Sequence, residues 1–597
     1  MPKMPSLLRK HPYPVLLTVL ILLLHLPVLF APVNYLLSSW FNTDDAFYYF
    51  VTARNVATGH GFTFDGIART NGFHPLWMFL LTPIFALPDL IFPLRLLAAV
   101  LILLNLGTAL LLYRLTRRHF SPPIAFLTAL AFSLLRIIHS ETTKGGVEAG
   151  LNVFLITLLL NRLADTDIRN LRGVLLTSMV ASLTFLARLD NVFLAGFGGA
   201  WLVLKQFQTS EVFFNFGSLG SSKPRASDQT SEVFFNFGNL GSSKPRASDQ
   251  TSEVFFNFGS LVAYFVPLAL VVVAYMAWNQ IGFGTLTPVS GQIKRWWGTL
   301  PNSPYGFPPK RLSNYLGQFV TDDESIGPWA ILTGPFYRTA EGLITLTGQE
   351  PTTGARRVAL AGLGILSVGL VSWLVWKNRA WAWQTVRGLG LLPLLGGCLF
   401  QIAYYKIGGS VAERTWYWLP EMLVVVLAGG MVLEMLWRTT YYGIRNTQYV
   451  LRIPYSVTAL LALALIWPHL TRLPRMFSAE TRNTEAFYLR RANWLEANTE
   501  PGALIGLTGS GSTGYFVEGR TIVNLDGLIS SVTYFNAMKA GTADEYLAGI
   551  GLDYVFGNAY IVQESDPYGG IFEGRLEGAG MYEDGERELG LWRFLER

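Results

Sequence analysis

Two carboxylates stand side by side at Asp44 and Asp45, at the head of an aromatic run that leads into a loop carrying His60 and His74. The whole stretch, Phe41 to Trp77 (FNTDDAFYYFVTARNVATGHGFTFDGIARTNGFHPLW), lies between hydrophobic segments and has the makings of an active-site loop in a membrane enzyme. A carboxylate beside a cavity can take a proton from a hydroxyl. Consecutive helical residues do not share a face, so one of the pair at most points into a pocket. The plain alternative is helix capping: Thr43 or Asp44 closes the N-terminus and the other carboxylate favours the dipole. Tyr48, Tyr49 and Phe50 read either as interfacial anchors or as a platform for substrate.

Further groups occur singly. Glu148 opens an apolar segment in KGGVEAG, and Arg188 and Asp190 share the turn ARLDN. Lys294 and Arg295 follow a loop containing Gly282, Gly284, Pro288 and Gly291, and Arg414 precedes the aromatic run TWYW. A cation is what a departing phosphate needs, which singles out Lys294 and Arg295. His60 and His74 have no ligand partners near them in sequence, so no zinc site is expected there.

These residues need a frame. Of 597 residues 51% are hydrophobic and 14% charged, and the mean hydropathy is +0.34. Apolar runs near the ~20 residues of a membrane helix recur along the chain, which makes it a polytopic α-helical membrane protein. Lys and Arg outnumber Asp and Glu by 46 to 40; that excess fits cytoplasmic loops and does not call for nucleic acid. The single cysteine, Cys398, excludes an intrachain disulfide.

Lys3, Arg9 and Lys10 precede the first apolar run, which is long for a signal peptide and reads as a membrane helix with its N-terminus in the cytoplasm. Basic clusters at Arg114 to Arg118, Arg162 to Arg172, Lys205, Lys377 to Arg379 and Arg438 to Arg445 then mark inner turns. The segment Pro75 to Leu87 is too short to count as a crossing. About 11 crossings follow, an odd number, with every candidate residue above on the outer side.

The expected organisation is a transmembrane domain over residues 1–470 and an extracytoplasmic α/β domain over 471–597. The first contains an outer loop at 37–74, a cytoplasmic insert at 208–257 and a large outer loop at 279–355. The insert is a tandem repeat: QTSEVFFNFG begins at Gln208, Gln229 and Gln250. A unit this short without regular apolar spacing cannot bury a core, so it reads as a duplicated surface loop. In the last domain a helix is expected from Glu485 to Ala497 and strands at Ala503–Leu507, Thr521–Leu525 and Asp553–Phe556. The run from Gly509 to Tyr515 lacks the Lys of a P-loop and reads as a tight strand-to-helix turn.

The first loop, TDDAFYYFVTARNVATGHGFTFDG followed by TNGFHPLW, resembles the GT-C superfamily of membrane glycosyltransferases, nearest to its arabinofuranosyltransferase-like and protein mannosyltransferase-like bacterial branches. KGGVEAGLNVFL, ARLDN, GTLTPVSGQIK, RTWYWLP and VNLDGLIS look like further motifs of the same proteins, although Leu189 stands where proline is usual. The resemblance implies a GT-C-like fold and transfer of a hexose or pentose from a polyprenyl-phosphate donor to an envelope glycan, lipid or protein, with inversion. It implies Asp44 as the base, with Asp45 the runner-up, and Tyr48, His74, Glu148, Arg188, Lys294, Arg295 and Arg414 around the substrate. Some members use a divalent cation, Mg or Mn, and others none. Among other readings, a secondary transporter would show matched halves with interrupted helices, and this chain shows only the short asymmetric repeat. A non-catalytic assembly protein would need no acidic loop. The multi-pass location implied is the plasma (bacterial inner) membrane.

Overall fold

A computed structural model describes residues 12–208, 258–308, 327–443, 452–585 and 587–595. The tandem repeat falls outside the described residues except at its first and last positions. Helices dominate. Among the described residues six are long and apolar enough to cross a membrane: Pro12–Phe30, Phe92–Thr116, Phe258–Phe283, Thr353–Lys377, Thr415–Thr440 and Ser456–Met476. Two bent pairs bring the number to eight if each is one span: Pro122–Leu134 with Arg136–Lys144, and Arg379–Gly388 with Leu391–Ile407. The second bend, of 68°, falls at Gly390, whose φ of +68° is left-handed and open to glycine at little cost.

Three helices of 17 residues, Ala149–Asp165, Leu171–Ala187 and Val192–Gln208, occupy the other positions where crossings were expected. Each is about 25 Å long, short of a ~30 Å hydrocarbon layer. Length and composition therefore support up to eight spans, and the count of eleven depends on these three. The lipid-facing character is plainest in Thr353–Lys377, where Ile365 and Leu366 are 74% and 72% exposed. Hydrocarbon, not water, accommodates such an apolar surface.

The helix ends sort into two sets. At one end Arg114 and Arg118 pair with Asp165 at 3.0 and 2.7 Å, Arg162 donates to the Gly173 carbonyl, Lys205 to that of Leu163, and Glu434 receives Ser121 and Arg438. These are the basic turns. At the other end the first-loop helix Asp44–Ala57, Glu148, Arg188, the helix Val289–Trp297 and the segment 408–418 meet one another and the C-terminal domain.

That domain holds one five-stranded sheet in the order β2-β1-β3-β5-β4: β1 Leu504–Leu507, β2 Thr521–Asn524, β3 Tyr554–Gly557, β4 Leu576–Asp584 and β5 Arg587–Phe594. β1 pairs in parallel with β2 and β3, whereas β5 runs antiparallel to both β3 and β4. The three expected strands and the helix, found at Phe487–Asn498, are present. The β4–β5 hairpin was not anticipated, because LEGAGMYED carries glycines and acids in place of β-branched residues and is largely exposed. A second core joins the domain to the membrane part: Val289, Ile293 and Trp297, spaced four apart on one helix face, bury against Val523, Leu525, Phe535 and Met538.

Candidate functional site

The first-loop helix Asp44–Ala57 presents two polar faces. Asp44 and Tyr48, four residues apart, face the C-terminal domain. Asp44 Oδ2 accepts from the Gly511 amide at 3.0 Å, and Oδ1 accepts from the Ser512 amide at 2.8 Å and its hydroxyl at 2.5 Å, with Arg491 at 3.9 Å. The GSGSTGY turn does hold an anion at a helix N-terminus, and that anion is Asp44. A Cβ at Gly511 would lie 2.3 Å from the Asp44 carbonyl oxygen, so only glycine permits the approach. The Tyr48 hydroxyl donates to Asp526 Oδ2 at 2.9 Å and accepts from the Ser510 amide at 3.3 Å. Tyr48 is 6% exposed and its hydroxyl is engaged by the C-terminal domain.

Asp45 and Tyr49, one position on, face the membrane domain. Asp45 Oδ2 lies 3.8 Å from Arg414 Nε and keeps 20% of its side chain exposed. The Tyr49 hydroxyl donates to Glu148 Oε2 at 3.1 Å and accepts from the His74 amide. The separation of adjacent carboxylates onto two faces of the helix is as expected. Asp44 accepts three hydrogen bonds from the C-terminal domain and keeps 27% of its side chain exposed, whereas Asp45 faces Arg414 with 20% exposed. Thr43 sits at the N-cap position with extended φ and ψ but makes no side-chain capping bond.

Behind Tyr49 runs a buried charge network. Arg188 Nη1 donates to Glu148 Oε1 at 2.6 Å, Nε to Asp190 Oδ2 at 3.0 Å and Nη2 to the Tyr405 hydroxyl at 3.2 Å. Gln401 and Tyr405 add two more donors to Asp190. Arg188 is therefore matched by two carboxylates and positions the site without offering free charge. Its guanidinium stacks on the Tyr417 ring at 4.1 Å.

Lys294 and Arg295 are different. Neither pairs with a carboxylate among the described residues. Lys294 Nζ donates to the Tyr417 hydroxyl at 2.6 Å and the Ala412 carbonyl at 3.2 Å, and Arg295 stacks on Tyr404 at 4.5 Å. Ala412 has a φ of +55°, an unusual conformation for a residue with a Cβ, and it aims that carbonyl at the lysine. The helix places both cations beside its buried Ile293 face, so the second core fixes where they point. Asn71 sets the helix start, accepting from the Val289 amide and bonding to Asn279. Gly72 passes so close to Leu528 that a Cβ would lie 2.0 Å from its carbonyl oxygen.

His74, Arg188, Lys294 and Arg295 line one cavity of about 630 Å³. Its other wall is apolar: Phe185, Val192, Val272 and Met276 from three helices, of which Phe258–Phe283 is long enough to cross a membrane. His74 Nδ1 and Asp190 Oδ1 are buried on this cavity without a hydrogen-bond partner, and such atoms call for a ligand group. Burial holds the His74 imidazole below its ordinary pKa, against the opposing Glu148 carboxylate 3.6 Å away, so the ring is neutral at pH 7. Sequence reasoning missed Tyr405, Tyr417 and Lys539, which join the lining from distant segments. Arg414, whose Nε lies 3.8 Å from Asp45 Oδ2, follows the lining residue Glu413 in the chain.

The described structure resembles the archaeal oligosaccharyltransferase AglB from Archaeoglobus fulgidus, solved with an inhibitory peptide and a dolichol-phosphate, at 13% identity and a TM-score of 0.45 over 98% of this chain and 74% of that one. It also resembles ArnT from Cupriavidus metallidurans bound to undecaprenyl phosphate, at 13% identity and a TM-score of 0.49 over 96% of this chain and 97% of that one. Residues 476–586 match a family described as a domain of unknown function (DUF8728). No curated protein matches by sequence.

A second cleft, of about 680 Å³, opens between the first-loop helix and the C-terminal domain, lined by Asn42, Asp44, Tyr488, Arg491, Thr508 and Asp584 among others. Asp44 closes one side of it. Asp44→Asn keeps the shape but turns an acceptor of three hydrogen bonds into a group with a donor end. The expected cost is about 1–3 kcal/mol of domain docking, read as a lower thermal midpoint in detergent, with transfer reduced less than by the Asp45 change discussed below.

Proposed function

We propose that this protein is a glycosyltransferase that moves a sugar from a polyprenyl-phosphate donor to a cell-envelope acceptor at the membrane face opposite the basic turns. The observation that carries the reading is the pair Lys294 and Arg295: two cations without carboxylate partners among the described residues, aimed into a cavity whose far wall is built from apolar helix faces. That shape suits a ligand with an anionic head and a hydrocarbon tail. The polyprenyl chain lies along Phe185, Val192, Val272 and Met276, and the phosphate sits between the two cations.

Asp45 takes the proton of the acceptor hydroxyl, and the oxygen attacks the anomeric carbon. The bond from that carbon to the phosphate oxygen breaks, and polyprenyl phosphate leaves with the extra negative charge held by Lys294 and Arg295. The proton ends on Asp45. One displacement inverts the anomeric centre. His74 Nδ1 and Asp190 Oδ1 meet sugar hydroxyls.

A hard cation such as Mg or Mn takes several oxygen ligands. The acidic pair fits this poorly, since Asp44 is spent on Gly511 and Ser512 and, among the described residues, no third carboxylate or histidine joins the pair in a metal-holding group. No step is routed through a metal.

Loss of the gene is expected to leave the lipid-linked donor sugar accumulating and one sugar missing from an envelope molecule, both read by mass spectrometry. Unchanged envelope and lipid-linked sugars would count against the reading. Orientation follows from the basic turns: reporter fusions after Arg118 and Arg172 are expected to read cytoplasmic, and one after Thr471 external. An external signal at Arg118 would invert the proposed topology.

A further inference from the structure

Away from the cavity, three buried histidines converge from three parts of the chain. His25 ends the helix Pro12–His25, His139 ends Arg136–His139, and His469 lies near the end of Arg452–Leu470. One ring nitrogen from each lies within 4.8 Å of the others. From this geometry we infer a three-histidine site for a transition-metal dication of the zinc class, which clips the last membrane helix to the first.

The ring protons argue for it. His25 Nδ1 stands 2.6 Å from the Ile21 carbonyl and His469 Nε2 stands 2.9 Å from the Leu134 carbonyl, so each donates there. The opposite nitrogens, His25 Nε2 and His469 Nδ1, keep lone pairs. Metal-bound histidines are oriented in this way, by a backbone carbonyl on the far nitrogen. The His139 Nε2 atom lies 2.8 Å from His25 Nε2, and two ring nitrogens at that distance share one proton. A cation replaces that proton, which moves to His139 Nδ1.

The space agrees. A void of about 20 Å³ lies among the rings, walled also by Tyr35, Trp40 and Met476, and holds one ion or water. Tetrahedral zinc with Zn–N near 2.0–2.1 Å puts its ligand atoms about 3.4 Å apart, so small ring movements close the set. No carboxylate lines the void, which disfavours Mg and Mn and suits zinc, nickel or copper. Lys144 and Arg472 line it too and repel a bare dication. They favour an anionic fourth ligand, hydroxide or chloride, over an all-protein shell.

The clip has a mechanical consequence. Thr471 and Arg472 lead directly from His469 into the C-terminal domain, so the ion holds the root of that domain against the first helix. The test is zinc and cobalt(II) binding by the full-length protein in detergent after chelation. The wild type is expected to take up about one zinc per chain, to show tetrahedral cobalt(II) absorption that zinc displaces, and to gain thermal midpoint with zinc. His139→Ala and the milder His469→Gln are expected to bind at least about tenfold more weakly and to lose the thermal gain. Absence of the cobalt bands from the wild type would overturn the site, whether or not the variants fold. So would equal zinc uptake by the wild type and a variant that elutes as it does.

Discussion

Asp45→Asn is expected to slow sugar transfer by about 10²–10⁴-fold, the contribution of a positioned general base, while the protein keeps its thermal midpoint and its affinity for the donor. The reason is in the faces of the first-loop helix. Among the described residues Asp45 makes one ion pair, with Arg414 at 3.8 Å and partly in solvent, so losing its charge removes little structure. Asp44 is the converse: its oxygens receive three hydrogen bonds from the C-terminal domain, and a carboxylate so engaged is a poor base. Comparison of the two asparagine variants in one assay, with donor binding measured beside it, separates base from docking group. Equal, wild-type rates in both would remove the acidic pair from the mechanism.

Lys294→Gln is expected to cost about 10²–10³-fold in transfer, as the loss of one charge-stabilising donor does at other active sites. A unit charge about 4 Å from a phosphate is worth about 4 kcal/mol at the effective dielectric of a partly wet site. Part of that is already present in the bound donor; the part that grows as the phosphate leaves appears in the rate. Lys294 is also held by the Ala412 carbonyl and the Tyr417 hydroxyl, so glutamine, which can keep one of these bonds, is the cleaner change than alanine. Steady-state kinetics with varied donor tells the effects apart: a fall in kcat marks charge stabilisation, and a rise in KM alone marks simple binding.

Much of this was legible before any coordinates. Apolar length located the helices, and basic residues sorted their ends into the two sets that the contacts between Arg118 and Asp165 and between Arg188 and Glu148 display. Four of the site residues, His74, Arg188, Lys294 and Arg295, do share a cavity. The face each carboxylate takes was not legible, because a 100° step between neighbours cannot be given a direction until the helix is docked. The roles of Tyr48 and Asp44 depend on Asp526 and Ser512, more than 460 residues away. The three histidines were invisible for the same reason: His25 and His139 are 114 positions apart, with no spacing that marks ligands. Short local patterns report helix starts and turns, and what faces a helix across the fold is decided by packing.

The cavity itself offers the most direct test. Binding of a polyprenyl phosphate without sugar should be measured on the purified full-length protein, wild type and Lys294→Gln/Arg295→Gln, by titration in detergent at fixed salt. The account predicts saturable binding by the wild type, competed by the sugar-bearing lipid, and weakened by about 100-fold in the double variant, at roughly 1.4 kcal/mol per lost cation. Polyprenol lacking the phosphate should bind both proteins equally weakly. Equal affinity of the wild type and the double variant for the phosphate lipid would contradict the assignment of this cavity to the donor.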